Sequence, residues 1–351
     1  MNEDLRTLKG RGAATNPGNR FETATHVPII PMSSDALPTT DYIDDASKSI
    51  ITTNNSPDIA FEKSINPYRG CEHGCVYCYA RPTHEYLGYS LGLDFETKIL
   101  IKKDAPRRLR ETLSKPGWTP TVLAMSGVTD PYQPIERRLG ITRQLIAILL
   151  EFRNPVLIVT KNGGVARDAD LLSELARFEA AAVFLSITTL EPALQQMMEP
   201  RTAPPEKRLA AIAALSRGGI PTGVMVSPVI PGLTDEEIPK IVASATEAGA
   251  SFAAMALLRL PFGVAPLFEN WLDARLPNKK NRILNRIRDI RAGRLNDSDF
   301  FSRMRGSGHY AMQIGDLFRL SCRKSKIKAG MPALSTRHFK DTRPVQQNLF
   351  T

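Results

Sequence analysis

Cysteine is scarce in this chain, with four in 351 residues. Three of them crowd together as Cys71, Cys75 and Cys78, and the fourth, Cys322, stands far away. That distribution excludes a disulfide framework. There is no second Cys/His cluster, so no additional metal centre is expected. No apolar run comes near the ~20 residues that a membrane-spanning helix needs. The opening MNEDLRTLKGRG lacks an apolar signal-peptide core. A cytoplasmic location without membrane attachment is expected, in a reducing compartment that keeps thiols free.

Acidic residues are few toward the C-terminus. Residues 279–351 hold 17 Lys/Arg against 5 Asp/Glu, a net of +12, which exceeds the +10 of the whole chain. Residues 1–60 lean the other way, with 5 Lys/Arg against 8 Asp/Glu. A basic segment of this kind is an electrostatic footprint for DNA or RNA, or else a solvated helix surface.

What is present is the stretch YRGCEHGCVYCYAR, Tyr68 to Arg81, with the spacing C-x3-C-x2-C. Three thiolates this close on one loop converge on a single centre. Soft sulfur donors suit an iron–sulfur cluster or zinc. Zinc needs a fourth ligand, for which His73 or His84 is available. A [4Fe–4S] cluster on three cysteines keeps one iron open for another ligand. With Tyr77 just before the third cysteine, the loop resembles the signature of the radical S-adenosylmethionine (SAM) superfamily. The resemblance implies that Cys71, Cys75 and Cys78 ligate a [4Fe–4S] cluster whose open iron chelates SAM. It also implies an external electron donor and reductive cleavage of SAM to a 5′-deoxyadenosyl radical.

Along the chain, residues 1–60 read as an irregular arm rich in Pro, Asn, Ser and Asp, frayed at its start. Residues 61–262 read as the core. Short, continuously apolar strands are expected at 64–68, 121–125, 155–160, 182–187, 221–226 and 252–258, the mark of a parallel sheet covered by helices. Helices are expected between them at 103–114 with Asp104 as cap, at 141–152, 167–178, 205–216 and 234–248. The last would start with a capping box from Thr234 to Glu237. Six β/α repeats match the partial (β/α)6 barrel that the resemblance implies, with the cysteine loop at its C-terminal mouth. Residues 263–327 read as a helical extension, with helices at 281–292 and 310–325, and 328–351 as a flexible basic tail.

Polar residues just after the strands are candidates for holding SAM. They are Thr129 and Asp130 after the second strand, Lys161 after the third and Ser186 on the fourth. This order resembles the spore photoproduct lyase-like group, also called DNA repair photolyase-like. The likeness implies SAM contacts from Thr129, Asp130, Lys161 and Ser186, with Tyr77 touching the adenine. It also implies a hydrogen-relaying role for Tyr79. Such lyases carry a hydrogen-donor cysteine directly before the Ser/Asp pair, and here that position is Val128. The spore-photoproduct reaction itself is therefore not expected. Arg201 is a weaker candidate, for an anionic group or for pairing with Glu199 or Glu206.

The segment Gln346 to Phe350 resembles the Q-x-x-L-F peptide with which bacterial DNA enzymes dock on the sliding clamp. The expected function is a radical SAM enzyme acting on nucleic acid, in repair or modification. The alternatives are the same chemistry on a small molecule or protein, and a non-catalytic zinc-containing nucleic-acid-binding protein.

Overall fold

A computed structural model describes residues 8–22 and 38–341. Two short strands stand inside the expected irregular arm: β1 (Asp41–Asp44) and β2 (Ile51–Thr53). The first core strand is divided, because Pro67 interrupts it. Its halves are β3 (Lys63–Ile65) and β4 (Tyr68–Arg69). Next come β5 (Lys98–Ile101), β6 (Leu123–Met125), β7 (Val156–Thr160), β8 (Ala181–Ser186), β9 (Thr222–Val229) and β10 (Phe252–Leu257). A last strand, β11 (Lys328–Ala329), lies in the stretch expected to be irregular.

The main sheet runs β11-β10-β9-β8-β7-β6-β3-β2. Strands β3 and β6 to β10 pair in parallel throughout, which is the expected six-repeat core. Strand β11 extends it in parallel at one edge and β2 in antiparallel at the other. The two edges do not pair, so the barrel is partial. A small second sheet, β1-β5-β4, carries the start of the cysteine loop.

Helices Ala105–Leu113, Ile141–Phe152, Ala169–Ala176, Pro205–Arg217 and Ile238–Glu247 cover the outside. Their buried stripes, such as Leu145 with Leu149 and Ile212 with Leu215, pack on outward strand residues such as Ile158, Val183 and Val224. The inward positions alternate with these. Leu157, Ala182, Phe184 and Phe252 fill the interior, with Phe184 edge-on to Phe252. Gly223 is required here, since a Cβ would lie 2.2 Å from the Phe252 ring. Met331 and Leu334 pack against this same inner group. Apolar packing therefore occupies the barrel interior below Ser186.

Two expected caps do not form. Asp104 makes no cap hydrogen bond, because its carboxylate pairs with Arg107. Thr234 accepts instead from the Ile230 N–H, and Glu237 accepts from the Thr189 hydroxyl and the Leu190 N–H. At Asp104 a side chain of the same helix takes the carboxylate, and at Glu237 tertiary partners do. Helices Val264–Arg275, Pro277–Asp289 and Gly308–Lys324 form the C-terminal extension, and their apolar faces are buried through Phe268, Ile283, Ile287 and Phe318. Cys322 is buried there as an ordinary core thiol.

Candidate functional site

The cysteine loop follows β4 and lies at the C-terminal ends of the parallel strands. Gly70 and Gly74 adopt positive φ values of 75° and 67°, which let the chain fold back on itself twice within five residues. Buried Arg81 holds the loop from beneath. It donates to the Cys75 carbonyl at 3.0 Å and the Gly92 carbonyl at 2.8 Å, and pairs with buried Glu96.

Residues 11–21 lie across the loop as a strap. Glu96 accepts from the Gly12 N–H at 3.0 Å and the Ala13 N–H at 2.8 Å. A Cβ on Gly12 would sit 1.8 Å from the Gly74 carbonyl oxygen, so only glycine fits.

Cys71 and Cys78 pack with Ala80, Phe95 and Val128, and Cys75 packs with Val76 and Tyr77. Burial, reinforced by Glu199, pushes the Cys75 thiol well above its ordinary range. Burial and neighbouring Cys71 push Cys78 up to about 11. Neutral thiols are thus favoured until a cationic centre ionises them. The donor set fits an iron–sulfur cluster in kind, because three soft sulfurs stand on one loop among mostly apolar side chains, Cys78 packing with the groups around both Cys71 and Cys75. Each histidine has one ring nitrogen engaged and the other, His73 Nε2 and His84 Nδ1, buried without a hydrogen-bond partner. His73 turns Nδ1 to Asp130 at 3.3 Å, and the Nε2 of His84 meets the Lys98 carbonyl.

Lys161 extends from the end of β7 and gathers the other candidates. Its Nζ donates to Ser186 Oγ at 3.0 Å, Thr188 Oγ1 at 2.9 Å and the Ser227 carbonyl at 2.9 Å. It also pairs with Glu199 at 3.1 Å and lies 5.7 Å from the Tyr77 ring centroid. Lys161, Ser186 and Tyr77 therefore meet at one place.

Thr129 and Asp130 use their side chains within the protein. Thr129 donates to the Gly70 carbonyl at 2.7 Å. Asp130 accepts from Thr160 Oγ1, the Tyr132 N–H and the Lys161 N–H, all between 2.7 and 2.8 Å. Asp130 is buried, which alone would raise its pKa, but His73 and these donors hold it below the ordinary value. The pair thus ties the cysteine loop to the end of β7.

Tyr77 does not present its hydroxyl to open space. It donates to Glu199 and lies 3.1 Å from Thr188 Oγ1. Tyr79 differs. It is 49% exposed, donates to the Gly127 carbonyl at 2.5 Å, and lies under Arg259. Arg201 pairs with Glu72 at 3.2 Å rather than with Glu199 or Glu206.

The residue that sequence reasoning missed is Glu199. It is fully buried and accepts from Tyr77, from Thr188 at 2.7 Å and from Arg208, while pairing with Lys161. Burial would raise its pKa, but Arg208 and Lys161 hold it far below the carboxylate range. Arg208 reaches in from helix Pro205–Arg217 and also donates to the Ser186 carbonyl at 2.8 Å. The only available signal was the Met-rich segment before Glu199, which marked burial without naming a partner.

Comparison with known proteins agrees with this geometry. The model of the radical SAM superfamily matches residues 65–245. Rv2578c of Mycobacterium tuberculosis is 35% identical over 230 residues, covering 65% of this chain and 68% of its own. The radical SAM Nalpha-GlyT isomerase of Pseudomonas phage M6 is 26% identical over 219 residues, 62% of this chain and 43% of its own. Among solved structures, spore photoproduct lyase with bound AdoMet and dinucleoside spore photoproduct has the same fold. Its TM-score is 0.57 at 16% identity, with 82% of this chain and 80% of that chain covered. With more than half of the sequence matched by the family model, and the three cysteines at the mouth of a partial β/α barrel, this chain belongs to the radical SAM superfamily.

Proposed function

We propose that this protein is a cytoplasmic radical SAM enzyme that modifies or repairs nucleic acid. The observation that carries the enzymatic part is the meeting of the cysteine loop with Lys161, Ser186 and Glu199 through Tyr77. When bound, the cluster supplies the electron, drawn from an external donor, that cleaves SAM into methionine and a 5′-deoxyadenosyl radical able to take a hydrogen atom from substrate. Cys71, Cys75 and Cys78 would hold the cluster. The Lys161 ammonium, on exchanging one of its three hydrogen-bond partners, suits the carboxylate of SAM, and the Ser186 hydroxyl suits its polar edges. Glu199 fixes Tyr77 and Lys161 relative to each other. Thr129 and Asp130 fix the loop to the barrel. Tyr79 is the exposed residue next to the third cysteine and the one suited to pass hydrogen. Val128 packs beside Cys71 and Cys78 and has no hydrogen to offer as a thiol would. The spore-photoproduct reaction is therefore not part of this reading.

The nucleic-acid part is supported by the net +12 of residues 279–351. The clamp-like peptide at Gln346 to Phe350 points the same way, though it lies outside the described residues. A small-molecule or protein substrate is the second reading. It is favoured by the pairs Arg282–Glu236, Arg303–Asp58 and Arg337–Glu179, in which carboxylates from outside that segment neutralise part of its charge. The zinc-protein reading does not survive the family assignment.

The test is anaerobic reconstitution followed by incubation with SAM and dithionite. The parent should release 5′-deoxyadenosine and the Cys75→Ala variant should not. Release by Cys75→Ala would refute the assignment of the loop.

A further inference from the structure

The open side of the barrel carries a cation without an anion. Arg259 follows β10, the last of the six core strands, and Gly127 follows β6, near the other end of the core. Tyr79 spans between them. Its hydroxyl reaches the Gly127 carbonyl, and the Arg259 guanidinium lies 5.3 Å from its ring centroid. Nε of Arg259 is buried with no hydrogen-bond partner, and Nη1 donates to Met304 Sδ at 3.6 Å. Among the described residues no carboxylate forms an ion pair with it.

Asp58, the nearby carboxylate, is committed to Arg303 and to the Phe301 N–H at 3.0 Å. Burial first, and Arg303 second, lower the Arg259 pKa, as expected for a cation that lacks its counter-charge. An arginine half-buried beside the cysteine loop with nothing to neutralise it is a site for an anionic group.

The surroundings narrow the anion. Phe300 and Phe301 are 51% and 54% exposed, and Arg303 lies over the Phe300 ring at 4.7 Å. Phe301 adopts φ 67°, a region that bulky side chains avoid, and Asp58 holds it there. Three residues after Arg259, Phe262 is 62% exposed, adopts φ 51°, and carries Arg20 at 3.8 Å from its ring centroid. The Phe301 and Phe262 rings thus stay largely exposed on strained backbone. Aromatic faces interleaved with guanidinium groups are the surface on which unpaired bases stack while phosphates are neutralised.

We propose that Arg259, with Tyr79, Phe300 and Phe301, forms a subsite that admits a single-stranded or extruded nucleotide to the barrel mouth, with Arg259 on a phosphate. This deepens, and rests on, the nucleic-acid reading above.

The test uses full-length protein with its cluster reconstituted. Short mixed-sequence oligonucleotides, one DNA arm and one RNA arm, are bound at several salt concentrations and followed by fluorescence anisotropy. Arg259→Gln should weaken binding about tenfold in at least one arm and reduce the salt slope by about 0.7, the share of one phosphate contact on a single strand. Arg259→Lys should keep the slope and lose part of the affinity. Phe300→Ala should weaken binding with the slope unchanged, and serves as the test should Arg259→Gln lose iron. Parent-like binding by Arg259→Gln of full iron content, or by Phe300→Ala, overturns the subsite. So does an absence of binding by the parent in both arms. The parent's release of 5′-deoxyadenosine without nucleic acid is measured alongside. If the parent binds but a variant binds like it, only the subsite falls; if the parent binds neither arm, the nucleic-acid reading falls with it; if the parent releases no 5′-deoxyadenosine, the enzymatic reading falls.

Discussion

At the scale of the residue, Glu199 is the unexpected centre. A buried carboxylate costs several kcal/mol to desolvate, and the cost is offset only by good partners. Glu199 has two cations and three hydroxyls. Replacing it with Gln leaves Arg208 buried beside a neutral amide. The variant should be about 3–5 kcal/mol less stable at neutral pH. The sign of the pH dependence follows from the depressed pKa. The carboxylate contributes its full stability above its ordinary value of 4.5 and loses it as pH falls through the lower folded value. The gap between parent and Glu199→Gln should therefore narrow on acidification below about 4.5, as seen by thermal unfolding of both proteins side by side. A gap that is constant with pH would show that Glu199 is not the ionised hub described. The individual chemistry of Lys161 and Ser186 was legible in the sequence, because one follows a short apolar strand and the other ends one. Glu199 was not, since its partners Arg208, Lys161 and Tyr77 come from three separate elements.

At the scale of the element, the strap formed by residues 11–21 determines how the cysteine loop is held. It contributes backbone donors to Glu96 and a glycine that no larger residue can replace against Gly74. Gly12→Ala should destabilise the protein by about 1–3 kcal/mol through overpacking. It should also lower iron content after reconstitution and speed the bleaching of the cluster's visible absorbance in air. Parent-like iron retention would show that the strap has no part in holding the loop. Sequence reading placed this segment in an irregular arm packed over the domain but did not name what it touches, because its contacts lie some 80 residues away. The strands of the core were legible for the opposite reason. They are continuously apolar and flanked by turn residues, so β7 and β10 stand within a residue of their expected limits. The capping box from Thr234 was misread because local pattern is silent about the tertiary partners of Glu237, and the Asp104 cap because Arg107 competes for its carboxylate.

At the scale of the whole molecule, charge is uneven and the barrel is open on one side. The basic C-terminal region is not an appendage. Helix Pro277–Asp289 buries Ile283, Leu284 and Ile287 while its Arg side chains point outward. Deleting residues 279–351 would therefore remove packed structure as well as charge. A cleaner experiment replaces Arg282, Arg286 and Arg288 together with Gln. Fold and iron content should be kept, and single-stranded nucleic acid should bind with a salt slope smaller by up to about 0.7 per contact removed. An unchanged slope at low salt would assign this face to plain solvation. The fold class and the position of the cysteine loop were readable from the β/α alternation and the three thiols. The side on which the barrel opens was not, because β2 and β11 are too short to announce themselves in sequence.

The central claim is that the loop holding Cys71, Cys75 and Cys78 is the iron half of a SAM-cleaving site. The most direct measurement is the yield of 5′-deoxyadenosine from SAM by anaerobically reconstituted protein under dithionite, for the parent and for Cys75→Ala. The account predicts product from the parent and none above background from the variant. No product from an iron-loaded parent, or equal product from both, would contradict it.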